Sequence, residues 1–254
     1  MKENVITILN VERNRFYYFV LLLVILFSNQ SLSAQQTANV ERDHLLTIGL
    51  MAYVFNNWQE NEDASRGYNI GALLFDPVNN WVKLMNLNSV RLSDVKKTAH
   101  AEVGLMQRII ASGEKVDFSV SQIITTLEPC MMCSGMMTFL GVDSVKYIQT
   151  DPEFGKNIER LAADYAGQPG NDRCKHIKSV RAISGDYGSV LEALYATFRS
   201  NPLNQRKSMA DFLYGADVKL VYSAAAKELY GLTKENLKFK KNEGLLEELQ
   251  LISR

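Results

Sequence analysis

The pattern of hydrophobic and polar positions divides residues 40–155 into alternating helices and strands. Apolar residues recur at helical spacing from Val40 to about Gln59 and from Ala101 to Ser112, and the apolar segment Met131–Leu140 is a third helix. Uncharged runs rich in β-branched residues and bounded by turn formers are typical of strands. The predicted strands are Tyr68–Phe75, Trp81–Asn88, Ser121–Leu127 and Ser144–Thr150.

The order of these elements predicts the fold class. The segment Asp76–Asn80 contains turn formers, so the first two strands are expected to form a β-hairpin. Hairpin, helix, strand, helix, strand indicates an α/β fold with helices packed on a mixed sheet. Beyond Pro152 the pattern predicts no further strand, and residues 156–254 are interpreted as a helical C-terminal extension. Its predicted helices are Glu192–Arg199, Arg206–Tyr214, Ala224–Tyr230 and Glu243–Ile252.

Residues 1–34 have the pattern of an export signal. Basic residues precede an uncharged run of twelve residues, Phe16–Phe27, and small residues follow up to Ala34. Twelve residues form about 18 Å of helix, whereas the hydrocarbon core of a membrane is about 30 Å thick. A cleaved signal peptide is therefore favoured over an uncleaved N-terminal anchor. We expect a secreted or periplasmic protein that begins near Gln35, with a membrane contact only if the segment is uncleaved.

Composition and charge narrow the function classes. The 254 residues are 46% hydrophobic and 22% charged, which is ordinary for a folded protein and excludes a disordered or collagen-like chain. The 28 basic and 28 acidic residues give a net charge of zero, so the chain lacks the surplus of Lys and Arg of a protein that coats nucleic acid. Three cysteines are too few for a disulfide scaffold.

Two short motifs carry the chemistry. His100–Glu102 (HAE) opens one predicted helix, and Pro129–Cys133 (PCMMC) opens another. A catalytic zinc site uses three nitrogen or sulfur ligands from the protein and keeps a water molecule in the fourth position. Cysteines at i and i+3 reach one ion, and a helix N-terminus favours their thiolates. We predict a Zn²⁺ site with the ligands His100, Cys130 and Cys133, and we expect Glu102 to be aimed at the water.

The cysteines allow other interpretations. A Cys-x-x-Cys pair in an oxidising compartment can be a redox pair or a disulfide. A structural zinc site would need a fourth protein ligand, which Cys174 or His176 could supply, although both follow in an apparent loop. Cys174 is more simply interpreted as an ordinary thiol.

The combination of His-x-Glu with Pro-Cys-x-x-Cys resembles the signature of the zinc-dependent cytidine and deoxycytidylate deaminase superfamily. The segment Thr125–Met137 (TTLEPCMMCSGMM) is most similar to the branch of tRNA adenosine deaminases, guanine deaminases and deoxycytidylate deaminases. For residues 40–155 the resemblance implies a deaminase domain with a three-layer α/β/α fold and a mixed five-stranded sheet.

The resemblance also implies substrate-binding residues. Asn88, at the end of the second strand, matches an asparagine that contacts the base or its sugar, and Asn86 is the alternative. The backbone near Ala101, Glu128 and Pro129 is expected to help hold the base. The family is often oligomeric, which implies a homo-oligomer.

The expected function is hydrolytic deamination of a nucleobase, nucleoside or nucleotide, with Glu102 as the proton shuttle. One alternative is a secreted toxin or editing-type enzyme that deaminates bases in RNA or single-stranded DNA. Another is a non-catalytic zinc-binding scaffold, but metal binding alone does not require the carboxylate of Glu102. The neutral net charge favours a small-molecule substrate over a nucleic acid. The extension could cover the active site, form an interface between subunits or bind a partner.

Overall fold

The computed structural model describes residues 35–61, 66–92, 96–164, 177–181 and 187–254. The predicted export segment, residues 1–34, lies outside these ranges, as do Cys174 and His176. The chain divides into two compact units, Met1–Val40 and Glu41–Arg254, and the described residues of the first, 35–40, are helical. Within the described ranges, each helix is either too short or too polar to cross a membrane.

A mixed β-sheet lies at the centre of the second unit. Its strands are β1 (Gly71–Asp76), β2 (Trp81–Leu87), β3 (Gln122–Leu127), β4 (Ser144–Gln149) and β5 (Lys178–Arg181). Their order is β2-β1-β3-β4-β5; β1 runs antiparallel to β2 and β3, whereas β4 runs parallel to β3 and β5. The predicted hairpin and the α/β fold with a mixed sheet are confirmed.

The first strand begins three residues later than the pattern predicts. The backbone N–H of Ile70 donates to the carbonyl oxygen of Tyr68 at 2.8 Å, so the chain turns on itself before it enters the sheet. The carbonyl oxygen of Ile70 then accepts from the N–H of Asn88 at 2.9 Å, just beyond the end of β2. This turn places Tyr68 beside the end of the second strand.

Helices flank the sheet. In chain order they are α1 (residues 41–56), α2 (Ala101–Ala111), α3 (Met131–Leu140), α4 (Asn157–Asp164), α5 (Tyr187–Ser200), α6 (Met209–Phe212), α7 (Ala216–Gly231) and α8 (Glu243–Ile252). The bounds of α3 and α8 agree with the prediction, and α2 ends one residue early. The predicted helix Arg206–Tyr214 contracts to the single turn of α6, because the capping box of Ser208 and Asp211 starts the helix only at Met209.

The prediction that no strand follows Pro152 is wrong. Strand β5 pairs with β4 in parallel, with Ser144 opposite Lys178 and Tyr147 opposite Arg181. Strand β5 has only four residues, of which the first and the last are basic, and its sequence shows no alternation of hydrophobic and polar positions. The strand forms because the edge of β4 offers it a backbone partner, which is a non-local effect.

The two faces of the sheet pack against different helices. Side chains alternate between faces along a strand. On one face, Leu74 and Ile123 pack in a core with α2 and α3. On the opposite face, Leu73 and Phe75 pack in a larger core with α1, α5, α7 and α8. The C-terminal helices therefore supply most of one helical layer of the same unit.

Candidate active site

The metal-ligand residues lie at the starts of two helices. His100 is the N-cap residue of α2, and Cys130 is the N-cap residue of α3. Both have extended backbone, and neither side chain caps its own helix. Cys133 lies one turn into α3, on the side that faces Cys130. The local sequence therefore leaves all three side chains available to a shared partner.

The three ligand atoms form a nearly equilateral triangle. Cys130 Sγ lies 3.6 Å from His100 Nδ1 and 3.6 Å from Cys133 Sγ, and Cys133 Sγ lies 3.6 Å from the same nitrogen. For tetrahedral zinc, the usual Zn–S and Zn–N bond lengths require ligand atoms about 3.5–3.8 Å apart. The observed triangle meets this requirement, so His100, Cys130 and Cys133 are positioned to bind a zinc ion.

The pKa values of the trio are shifted by contacts among its own members. Hydrogen bonding with Cys133 lowers the pKa of Cys130 to about 4. Hydrogen bonding with Cys130, together with burial, raises the pKa of the Cys133 thiol well above its usual value. The contact with Cys130 also raises the pKa of His100. The two thiols thus share a proton, which metal binding releases, because thiolates are the ligands.

The ligand count matches a catalytic site. Both cysteines are free thiols, so the disulfide reading does not describe this structure. In the part of the chain that the structure describes, only these three side chains come together as a metal-binding group. Three protein ligands leave the fourth position of a tetrahedral zinc ion open to water.

Glu102 lies next to the trio and shares a side-chain hydrogen bond with Cys133. Its side chain is 4% exposed, and Oε1 accepts a hydrogen bond from Thr125 Oγ1 at 3.4 Å. Burial raises the pKa of Glu102. A carboxyl group with a raised pKa holds a proton more firmly than an exposed glutamate, which suits a group that both accepts and donates protons.

A cavity of about 570 Å³ opens onto these residues. This volume is in the usual range for a small-molecule site. The wall comes from three regions of the chain: the metal-binding helices with the strand ends beside them, the loop after β4, and the segment around α6. The lining residues are Tyr68, Ile70, Asn88, His100, Glu102, Leu127, Glu128, Cys130, Met131, Met132, Asp151, Glu153, Phe154, Ser208, Met209, Ala210 and Leu213.

The two asparagines at the end of β2 have different surroundings. Asn88 is 0% exposed and lines the cavity; its Oδ1 accepts from the backbone N–H groups of Tyr68 and Val90, each at 3.3 Å. Its Nδ2 is buried and has no hydrogen-bond partner among the described residues. Asn86 lies outside the cavity wall, since Nδ2 donates to the carbonyl oxygen of Ala101 at 2.9 Å and Oδ1 accepts from Arg108 at 3.1 Å.

Of the three residues expected to hold the base through their backbone, only Glu128 lines the cavity. Ala101 and Pro129 are buried outside it, with their carbonyl oxygens bonded to Asn86 and to Ser134 Oγ, respectively. The backbone N–H of Glu128 donates to the carbonyl oxygen of Gln149 at 2.8 Å. These bonds hold the strand and helix ends together, and a role of the three backbones in holding the base stays a prediction.

The Glu128 carboxylate holds the loop after β4. Oε2 accepts from the backbone N–H of Asp151 at 3.0 Å, and Oε1 accepts from that of Lys156 at 2.8 Å. Gly155 makes this approach feasible, because a Cβ there would lie 2.2 Å from Oε2. Asp151 Oδ1 accepts from the N–H groups of Glu153 and Phe154, and burial raises the pKa of Asp151. These hydrogen bonds therefore hold the loop in place as part of the cavity wall.

The segment around α6 is fixed at both ends against the cavity. The backbone N–H of Met209 donates to Glu153 Oε1 at 3.1 Å. At the other end, Asn69 Nδ2 donates to the carbonyl oxygen of Leu213 at 3.2 Å, and Tyr214 OH donates to that of Gly67 at 3.0 Å. A part of the predicted extension therefore completes the pocket.

Two of these wall regions were missed by the sequence analysis. Asp151 is the second residue after β4, which pairs in parallel with β3, and the carboxyl ends of neighbouring parallel strands commonly form sites. That signal could have indicated the loop. Ser208–Leu213 lies more than fifty residues further on and contains no motif, so only the fold brings it to the cavity.

Comparisons with known proteins agree with the motifs. Residues 48–149 match the family model described as "Cytidine and deoxycytidylate deaminase zinc-binding region". A search of curated proteins returned no match.

Several solved structures are similar to parts of the chain. One is a tRNA:A34 deaminase that acts at the wobble position, with 29% identity over 44% of this chain and 82% of its own, and a TM-score of 0.33. A guanine deaminase from Nitrosomonas europaea shares 21% identity over 47% of this chain and 68% of its own, with a TM-score of 0.34. The dCMP deaminase of cyanophage S-TIM5 shares 17% identity over 56% of this chain and 97% of its own, with a TM-score of 0.36.

The matched segment contains every residue of the metal trio together with Glu102 and Asn88. Its helices present the ligand atoms in the geometry that zinc requires. Residues 48–149 therefore match the zinc-binding region of cytidine and deoxycytidylate deaminases in sequence, and they contain a trio of side chains positioned to bind a metal ion.

Proposed function

We propose that this protein is a hydrolase that deaminates a nucleobase, nucleoside or nucleotide: water replaces an exocyclic amine, and ammonia leaves. One observation carries the proposal: the ligand atoms of His100, Cys130 and Cys133 lie 3.6 Å from one another, and two of these residues, His100 and Cys130, line the same cavity as the buried Glu102. A non-catalytic zinc site has no need for a carboxylate in that place.

The roles of the residues follow from their positions. A zinc ion held by His100, Cys130 and Cys133 supplies a Lewis acid that brings the pKa of a water molecule toward neutrality. Glu102 takes a proton from the attacking water and delivers protons to the ring nitrogen and to the departing ammonia. Thr125 Oγ1, at 3.4 Å from Oε1, orients the carboxylate.

Asn88 is proposed to bind the substrate through its amide nitrogen. Its Oδ1 is occupied by two backbone N–H groups, which fixes the orientation of the side chain. The partnerless Nδ2 is then a donor that suits a carbonyl oxygen or ring nitrogen of a base. Asn88→Ala should raise KM at least tenfold and leave the zinc content unchanged, whereas Asn79→Ala, at an exposed turn, is the control and should change neither.

The test is ammonia release by the zinc-loaded protein across free bases, nucleosides, nucleotides and single-stranded oligonucleotides. Saturable release from at least one member, lost on zinc removal and restored by zinc, is the expected result. Exclusive activity on oligonucleotides would favour the nucleic-acid-editing alternative. Absence of release from every member, with zinc fully bound, would leave the scaffold alternative and refute the proposal.

A further inference from the structure

Apart from the metal ligands, the charged side chains in the described part of the cavity wall are all acidic. Four carboxylates line it: Glu102, Glu128, Asp151 and Glu153. Among its described lining residues there is no lysine or arginine. Two thiolates balance a divalent ion at the trio, so a bound zinc ion does not give the wall a surplus of positive charge. Sites that bind phosphate are normally built from Arg, Lys or a free helix N-terminus.

These carboxylates are held in place. Glu128 and Asp151 are bonded to backbone N–H groups of the loop after β4, and both are buried. Glu153 is exposed, and its Oε1 accepts from the backbone N–H of Met209 and from the hydroxyl group of Tyr195, both at 3.1 Å. Because backbone and hydroxyl donors bind these carboxylates, the carboxylates cannot easily rotate away from an incoming phosphate.

The remainder of the wall suits an uncharged ring. Ile70, Leu127 and Leu213 are among its apolar members, and Tyr68 and Phe154 add aromatic surface. The partnerless Nδ2 of Asn88 supplies a donor that suits a carbonyl oxygen or a ring nitrogen of a base. A flat base satisfies both the apolar surface and the single donor.

We propose that the substrate carries no phosphate: the cavity takes a free base or a nucleoside and rejects nucleotides and nucleic acid strands. This inference rests on the proposed deaminase function and narrows its substrate class. The rejection comes from repulsion between the carboxylates and the phosphate, since no lysine or arginine among the described lining residues offsets it.

The experiment measures binding separately from turnover. Zinc-loaded full-length Glu102→Gln protein is titrated by calorimetry with cytosine, adenine and guanine, each as free base, nucleoside, 5′-monophosphate and short single-stranded oligonucleotide. We expect at least one base or nucleoside to bind on the order of 100-fold more tightly than its phosphorylated forms. Equal or tighter binding of a monophosphate or oligonucleotide would overturn the inference, and so would binding of no member.

A charge variant tests the cause. Glu153→Gln keeps an oxygen that can accept from Met209 and Tyr195 but removes one negative charge from the wall. It should strengthen monophosphate binding on the order of fivefold and leave base binding unchanged. Glu235→Gln removes the same charge from an exposed site outside the cavity and should change neither. If Glu153→Gln leaves the ratio of monophosphate affinity to base affinity unchanged, the electrostatic cause is refuted.

Wild-type ammonia release keeps the two proposals distinguishable. Preferred binding of a base or nucleoside without any ammonia release would refute the deaminase function and leave the pocket inference standing. If ammonia is released fastest from a nucleotide or an oligonucleotide, the deaminase function stands and the inference about the pocket is refuted.

Discussion

Replacing Glu128 by alanine should loosen the cavity wall without touching the metal site. The carboxylate accepts two backbone hydrogen bonds, from Asp151 at 3.0 Å and Lys156 at 2.8 Å. The first bond is buried, so the unpaired N–H of Asp151 should cost about 1–3 kcal/mol. The second is partly buried and its N–H can reach water, which lowers its cost to about 1 kcal/mol. We expect a total loss of about 2–4 kcal/mol in the free energy of unfolding.

The assay is urea unfolding at a fixed excess of zinc, combined with hydrogen exchange at the two amides. Glu128→Gln keeps one acceptor oxygen and should lose about half as much stability. Glu235→Ala, at an exposed position, should stay within about 0.5 kcal/mol of wild type.

The same variant should raise KM more than it lowers kcat, because the loop lines the cavity whereas the ligands and Glu102 are unchanged. Glu128→Ala with wild-type stability and unchanged amide protection would refute the assignment of this carboxylate as the support of the loop.

Three further outcomes are expected. Gly155→Ala should lower the free energy of unfolding by about 1–3 kcal/mol in the same urea assay, because the added Cβ would lie 2.2 Å from Glu128 Oε2. Cys130→Ala should lose zinc, measured by metal analysis, and with it the stability that metal binding confers; full zinc occupancy would remove Cys130 from the ligand set. If residues 1–34 direct export, the protein recovered outside the cytoplasm should begin near Gln35 by N-terminal sequencing; recovery of the intact chain in the membrane fraction would favour the anchor.

The sequence allowed the elements around the metal site to be predicted because their signals are local. The apolar segment Met131–Leu140 became α3 without a change of bounds, and the hairpin followed from its turn formers. The ligands were also predictable, since few residue types bind zinc and Cys130 and Cys133 are one helical turn apart. Their distances to His100, by contrast, depend on two strands that bring separate helix starts together.

The parts that the sequence did not predict depend on contacts between distant segments. Strand β5 has no strand pattern of its own and forms on the edge of β4. Asn86 and Asn88 also differ only through the fold, since Asn88 lines the cavity whereas Asn86 is bonded to Ala101 and Arg108. Met209 reaches the cavity through hydrogen bonds that no local pattern encodes.

The central claim is that Glu102 moves the protons of a hydrolytic deamination at this site. Its most direct test is the kcat of the zinc-saturated Glu102→Gln variant on the best substrate of the ammonia-release panel, with zinc measured in the same sample. The account predicts one bound zinc ion per chain and a kcat reduced by about 10²–10⁴-fold. A variant that retains zinc and turns over at a near-normal rate would contradict it.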